Sequence, residues 1–177
     1  MEKAGLVVSA VAFATSAHEG QVRKGGRGIP YITHPLAVKA ILEGAGVTDQ
    51  VVLAAAVLHD TIEDCGVTQA RLEAEFGPEV ALVVAEVSDA PGLSKTAAKK
   101  AQERNAPFMS ERAKLVKLAD KTANLTDIVE NPPGWKPEAV RGYATSAKRI
   151  VAAMGSVNEV LETGFAAAAK RAMDSAG

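Results

Sequence analysis

Cysteine is nearly missing from this chain: its 177 residues carry one, Cys65. An intrachain disulfide framework is therefore excluded, and a reducing cytoplasm is the expected location. Aromatic residues are also scarce, at 4% against 47% hydrophobic, so the core must be aliphatic. Neither sign of charge is in excess. A net charge of -1 gives no global attraction to a nucleic acid polymer or a membrane, so anions must be bound by a local cluster. No uncharged apolar run approaches the roughly 20 residues needed to span a bilayer. The early apolar run of Leu6, Val7 and Val8 breaks at Ser9, Thr15 and Ser16 and meets His18 and Glu19 without a cleavage pattern. The length suits one domain with a real core, and self-association is left open.

What is present reads as all-α. Apolar residues recur at helical spacing, and two-residue alternation is lacking. Helices are predicted over about 4–17, 35–44 and 51–58, the last running on into His59 to Asp64. Shorter ones follow over about 69–77, 78–89 and 95–104. Three longer ones complete the chain over about 111–130, 137–154 and 157–173. Thr48 or Asp49, Thr68, Ser94 and Ser110 stand at N-cap positions, and Asn131-Pro132-Pro133-Gly134 is a strong stop. The segment from Val51 to Leu58 is apolar on every side and is expected to be the buried central helix.

Chemistry is signalled by polar groups where a core should be. His59 shares a stripe with Val52, Ala55 and Ala56, and Asp60 one with Leu53, Ala56 and Val57. A carboxylate against such a surface is costly unless it is paired, hydrogen-bonded or bound to a metal. Glu63 and Asp64 fall one turn beyond each, provided the helix continues. Asp120 lies among Val116, Ala119 and Ala123, with Asn124 one turn later. Each has an ordinary reading when taken alone. His34 before Pro35 can be structural, the His59-Asp60 pair a cap, and Asp120 an ion-pair partner of Lys117 or Lys121. Together, His34, His59, Asp60 and Asp120 offer two imidazoles and two carboxylates to one divalent ion, a donor set that suits manganese, iron or zinc. Such an ion lowers the pKa of water towards neutrality, and Glu63 and Asp64 are placed to handle that water's proton. The loop Arg23-Lys24-Gly25-Gly26-Arg27-Gly28 interleaves cations with glycines, as phosphate binding requires. It fits neither a P-loop nor a dinucleotide fingerprint.

Four blocks, in order, carry a resemblance to a known family. They are Arg23-Lys24 with Gly28-Ile29-Pro30-Tyr31-Ile32-Thr33-His34-Pro35; Leu58-His59-Asp60-Thr61-Ile62-Glu63-Asp64; Phe76-Gly77 with Val87-Ser88-Asp89; and Ala113 through Lys121 with Asn124-Leu125. The chain resembles the small alarmone hydrolases, stand-alone relatives of the hydrolase domain in bifunctional RelA/SpoT stringent-response enzymes. The resemblance implies a compact single HD-domain helical bundle over 1–177, with its motif core over about 12–128 and C-terminal helices over about 136–174. It implies manganese-dependent removal of the 3′-pyrophosphate of ppGpp or pppGpp, giving GDP or GTP, without synthetase activity. Carried over by position, His34, His59, Asp60 and Asp120 are metal ligands, and Glu63 and Asp64 are the catalytic acids. Arg23 faces the base with Lys24 nearby, Asn124 contacts the ribose, Tyr143 lies at the nucleotide, and Lys95 reaches phosphate. Related readings keep the metal and change the substrate to ppApp or the 2′-phosphate of NADPH, or keep the nucleotide and lose catalysis.

Overall fold

In the computed structural model the described residues are 3–25 and 27–177, so Gly26 of the basic loop, with Met1 and Glu2, lies outside them. Among these residues the chain forms α1 (Lys3–Ala17), α2 (Thr33–Gly44), α3 (Gln50–Leu58), α4 (Thr61–Cys65), α5 (Gln69–Phe76), α6 (Pro78–Val87), α7 (Lys95–Asn105), a 3-10 turn (Ala106–Phe108), α8 (Glu111–Glu130), α9 (Pro137–Met154) and α10 (Glu159–Ser175). The all-α expectation is met: among the described residues no strand forms, only one isolated bridge between Val22 and Pro30.

Local chemistry explains where most helices begin. Asp49, Thr68, Ser94 and Ser110 accept the N–H groups of Val51, Arg71, Ala97 and Ala113 at 2.9–3.3 Å. Each such cap is worth about 1 kcal/mol. The last helix opens later than expected because Asn158, not a residue before Val157, caps it by accepting the Leu161 N–H at 3.0 Å. Glu162 reaches back to accept the Val157 and Asn158 N–H groups at 2.6 and 3.1 Å, closing a reciprocal cap.

Packing follows the apolar pattern. From Val52 to Leu58 every side chain of α3 is buried, between α1, α2, α6 and α8. Val116, Leu118 and Ala119 bring α8 to the same core, and α10 packs along α8. The core is aliphatic, as the shortage of aromatics requires.

One expectation is corrected. The central helix does not continue through Asp64; α3 ends at Leu58, His59 and Asp60 form a turn, and α4 restarts at Thr61. Side chains take the carbonyls a continuous helix would use. His59 Nδ1 donates to Ala56 O at 2.8 Å, and the Thr61 hydroxyl donates to Leu58 O at 2.7 Å. Asp64 still falls one turn beyond Asp60, its N–H donating to Asp60 O at 2.9 Å, because Asp60 is the residue from which α4 starts. Gly66, at φ 67°, then ends α4 in the left-handed conformation that glycine accepts readily. Similarly, α6 stops at Val87 rather than Asp89. The Val87 carbonyl is taken by the buried Lys117 ammonium at 2.7 Å, and Ser88 turns extended.

Candidate metal centre and nucleotide cavity

Two helices and one turn deliver the four proposed ligands to one point. His34 stands in the first turn of α2, His59 and Asp60 occupy the turn between α3 and α4, and Asp120 lies midway along α8. His34 Nε2 is 3.2 Å from Asp120 Oδ1 and 3.6 Å from Asp60 Oδ2. His59 Nε2 is 3.1 Å from Asp60 Oδ2 and 3.7 Å from Asp120 Oδ1. Donor atoms of His34, His59 and Asp120 all lie within 4.8 Å of one another; Asp60 is outside that mutual group and meets it through the two histidines.

The donor chemistry fits a divalent cation. His59 Nδ1 is 2.8 Å from a backbone carbonyl oxygen, which can only accept, so the ring proton is fixed on Nδ1. Nε2 then faces the cluster, buried and with no hydrogen-bond partner, and would offer its lone pair once a cation took the place of the proton that Asp60 and Asp120 otherwise hold there. This is the arrangement of a ligating imidazole with its outer partner in place. Burial opposes charge on His59, but the adjoining Asp60 and Asp120 outweigh it and push the imidazole up to about 10. Burial likewise opposes charge on Asp60, yet His59 and His34 hold its carboxyl well below the usual range. For Asp120 the same burial is outweighed by Lys121 and the two histidines, again lowering the carboxyl. One buried and one partly buried carboxylate thus draw positive charge to the point where the four side chains meet.

Beside the cluster opens a cavity of about 550 Å³. Its wall includes Arg23, Lys24, Asp64, Asn124 and Tyr143, five of the residues singled out in the sequence. Asn124 joins it to the cluster by donating to Asp120 Oδ1 at 2.6 Å. A neighbouring cavity of about 500 Å³ shares Lys24 and Tyr143 and adds Lys95, Lys99 and Lys121, so Lys95 stands apart from the metal ligands. Glu63 is placed differently from Asp64. Its Oε1 accepts the Asp89 N–H at 2.6 Å. The surrounding protein raises its carboxyl above the ordinary range, with that hydrogen bond acting against the rise. Burial pushes the Tyr143 hydroxyl up to about 12, with Lys121 opposing.

The basic loop is less free than its composition suggests. Arg23 donates through Nε and Nη2 to Asp127 Oδ2 at 3.0 and 2.7 Å, and through Nη2 to Asn124 at 3.2 Å. Arg27 donates to Asn131 Oδ1 at 3.0 Å. Both guanidiniums thus brace the loop against the end of α8. Gly25, at φ 126°, allows this close approach, since a Cβ there would meet the Asn131 carbonyl oxygen at 3.1 Å. Asp120 also keeps its ordinary role, because Lys121 Nζ lies 3.3 Å from its other oxygen.

Sequence reasoning missed several contributors. Tyr31 donates its hydroxyl to Asp60 Oδ2 at 2.7 Å. Asp127 fixes Arg23, and its spacing of three from Asn124 on α8 was the available signal. Trp135, in the cavity wall with its ring centroid 5.9 Å from that of Tyr143, follows the proline-rich stop and gave no periodic signal.

Comparison with known proteins agrees with this architecture. Residues 10–156 match the HD domain family. The guanosine-3′,5′-bis(diphosphate) 3′-pyrophosphohydrolase MESH1 of Xenopus tropicalis is 44% identical over 162 residues, covering 90% of this chain and 90% of the relative. Its Homo sapiens counterpart is 43% identical with the same coverage. A solved structure described as a metazoan ortholog of SpoT that hydrolyzes ppGpp matches with a TM-score of 0.88 at 38% identity, covering 92% of this chain and 93% of that one. The helical frame, the convergent histidines and aspartates, and these matches over nearly the whole length place the chain in the HD domain family.

Proposed function

We propose that this protein hydrolyses the 3′-pyrophosphate of ppGpp or pppGpp to give GDP or GTP and pyrophosphate, with manganese as cofactor. The observation that carries the reading is the buried, unpartnered Nε2 of His59 among His34, Asp60 and Asp120, beside a cavity lined by Arg23 and Lys24. The likeness to pyrophosphohydrolases across 90% of the chain supports the substrate. We read residues 1–177 as one hydrolase domain in the cytoplasm. The continuous aliphatic core and the lone Cys65 support that reading.

His34, His59, Asp60 and Asp120 would hold the ion, which when bound supplies Lewis-acid stabilisation of phosphate charge and a lowered water pKa. Asp64, in the cavity wall, takes the proton of the attacking water. Glu63, anchored on the Asp89 N–H, fixes the approach of α4 to the segment after α6 and serves as the second acid. Water oxygen bonds to the phosphorus next to the 3′ oxygen, the bond to that oxygen breaks, and the 3′ oxygen leaves with a proton. Lys24 bridges the two cavities and meets phosphate oxygens. Arg23, held edge-on by Asp127 and Asn124, offers its flat face to the base, and Asn124 and Tyr143 line the nucleoside path. Lys95, in the neighbouring basic cavity, takes a distal phosphate.

The test is a product assay with ppGpp, ppApp and NADPH offered side by side to the manganese-loaded chain. GDP and pyrophosphate from ppGpp, abolished by chelator, is the expected result. Turnover of NADPH or ppApp alone would move the substrate assignment, and turnover of none with metal bound would overturn hydrolysis of these nucleotides.

A further inference from the structure

His18 is buried at 3% exposure just beyond the end of α1, and the proposed reaction makes no use of it. Its ring lies on that of Tyr31, with centroids 4.7 Å apart and planes inclined by 26°. Its Nδ1 is 2.8 Å from Gln21 Oε1 and 3.2 Å from Cys65 Sγ. Gln21 in turn donates through Nε2 to Asp64 O at 3.0 Å, and its own carbonyl accepts the Tyr31 N–H at 2.9 Å. The Tyr31 ring is further limited by His34, at 6.1 Å between centroids, and by the Arg23 guanidinium, at 5.3 Å. A tyrosine held on this many sides can aim its hydroxyl in few directions. The direction it takes is Asp60 Oδ2, at 2.7 Å.

That oxygen is the one facing both imidazoles, at 3.6 Å from His34 and 3.1 Å from His59. A carboxylate oxygen has lone pairs for both a phenol donor and a cation. Among the described residues the phenol is the one hydrogen-bond donor on Oδ2 that is not itself a proposed metal ligand, so it alone can hold Asp60 while the imidazoles turn to a cation. Phenylalanine would fill the same space, so packing alone does not account for the hydroxyl. We propose that Tyr31 is the positioning residue that fixes Asp60 for metal binding, and that His18 holds the Tyr31 ring in the required orientation. The assignment rests on the metal reading above but not on the identity of the nucleotide.

Manganese titration of the full-length chain by calorimetry, with Tyr31→Phe beside wild type, tests it. Loss of an outer-shell partner of this kind weakens metal binding by roughly 10–100-fold. The expected result is a rise of that size in the manganese Kd, with kcat restored at saturating manganese. A Kd within about two-fold of wild type overturns the assignment. So does an activity loss that excess manganese leaves in place, which is what a merely structural role produces. His18→Phe keeps the stacked ring and should bind manganese like wild type, whereas His18→Ala should bind it more weakly. If Tyr31→Phe does not fold, that pair decides the question, and equal affinities in the two His18 variants overturn it. Wild-type protein that binds no manganese would sink the metal reading itself, through a different arm of the experiment.

Discussion

Replacing Asp120 by alanine should damage two things at once, and the two can be separated. Asp120 is 7% exposed and its neighbour Lys121 8%, with 3.3 Å between Lys121 Nζ and Asp120 Oδ2. Breaking a buried pair by removing one partner costs about 3–5 kcal/mol, because the other charge is left uncompensated. For a chain of this size each kcal/mol moves the melting temperature by about 2–4 °C, so the metal-free variant should melt roughly 6–20 °C lower. The second loss is a ligand: Oδ1, 3.2 Å from His34 Nε2, disappears, and bound manganese should fall to background. Adding Lys121→Met removes the stranded cation and should recover most of the melting temperature without recovering metal. The assay is a thermal melt and a metal-content measurement on wild type, Asp120→Ala and the double variant. Manganese retained at wild-type stoichiometry in Asp120→Ala, or metal binding restored by Lys121→Met, would refute the ligand role.

Other outcomes are expected from the same geometry. Glu63→Ala should keep its manganese and lose turnover; full activity in single-turnover measurements would leave the proton chemistry to Asp64. Because the folded state raises the Glu63 carboxyl, the folded chain holds that proton more tightly than the unfolded one. The raised carboxyl therefore costs nothing below the unfolded value and costs stability progressively as pH rises above the ordinary glutamate value of 4.5. Glu63→Gln should gain in melting temperature relative to wild type between pH 4 and 7, and a constant difference would contradict this. Asp127→Ala frees the Arg23 guanidinium, so KM should rise with kcat little changed. A drop confined to kcat would place Arg23 in the chemistry rather than in binding.

Much of the centre was legible because its residues are expensive where they stand. His59 and Asp60 end the most apolar helix, and Asp120 interrupts the inward stripe of α8, so their convergence was foreseeable from periodicity and from the order of the motifs. Helix starts at Asp49, Thr68, Ser94 and Ser110 were legible because capping is a local interaction of the side chain with the next turn. The kink at His59 was not. It depends on two side chains, His59 and Thr61, competing for carbonyls that periodicity assigns to the helix ladder. Nor did periodicity show that Glu63 is anchored on the Asp89 N–H while Asp64 lines the cavity wall. Nor did the glycine-rich loop reveal that Arg23 and Arg27 are tied to Asp127 and Asn131, since those partners lie on a helix distant in sequence. Tyr31 reads as one more apolar residue until its hydroxyl is seen against Asp60.

The central claim is that the two histidines and two aspartates serve hydrolysis of the alarmone's 3′-pyrophosphate. The most direct measurement is a time course of ppGpp breakdown by the chelator-stripped chain as manganese is added back, with Asp120→Ala run alongside. GDP and pyrophosphate appearing in equal amounts, in step with manganese binding and absent from the variant, is the predicted result. Turnover that persists without metal or survives in the variant would contradict the account.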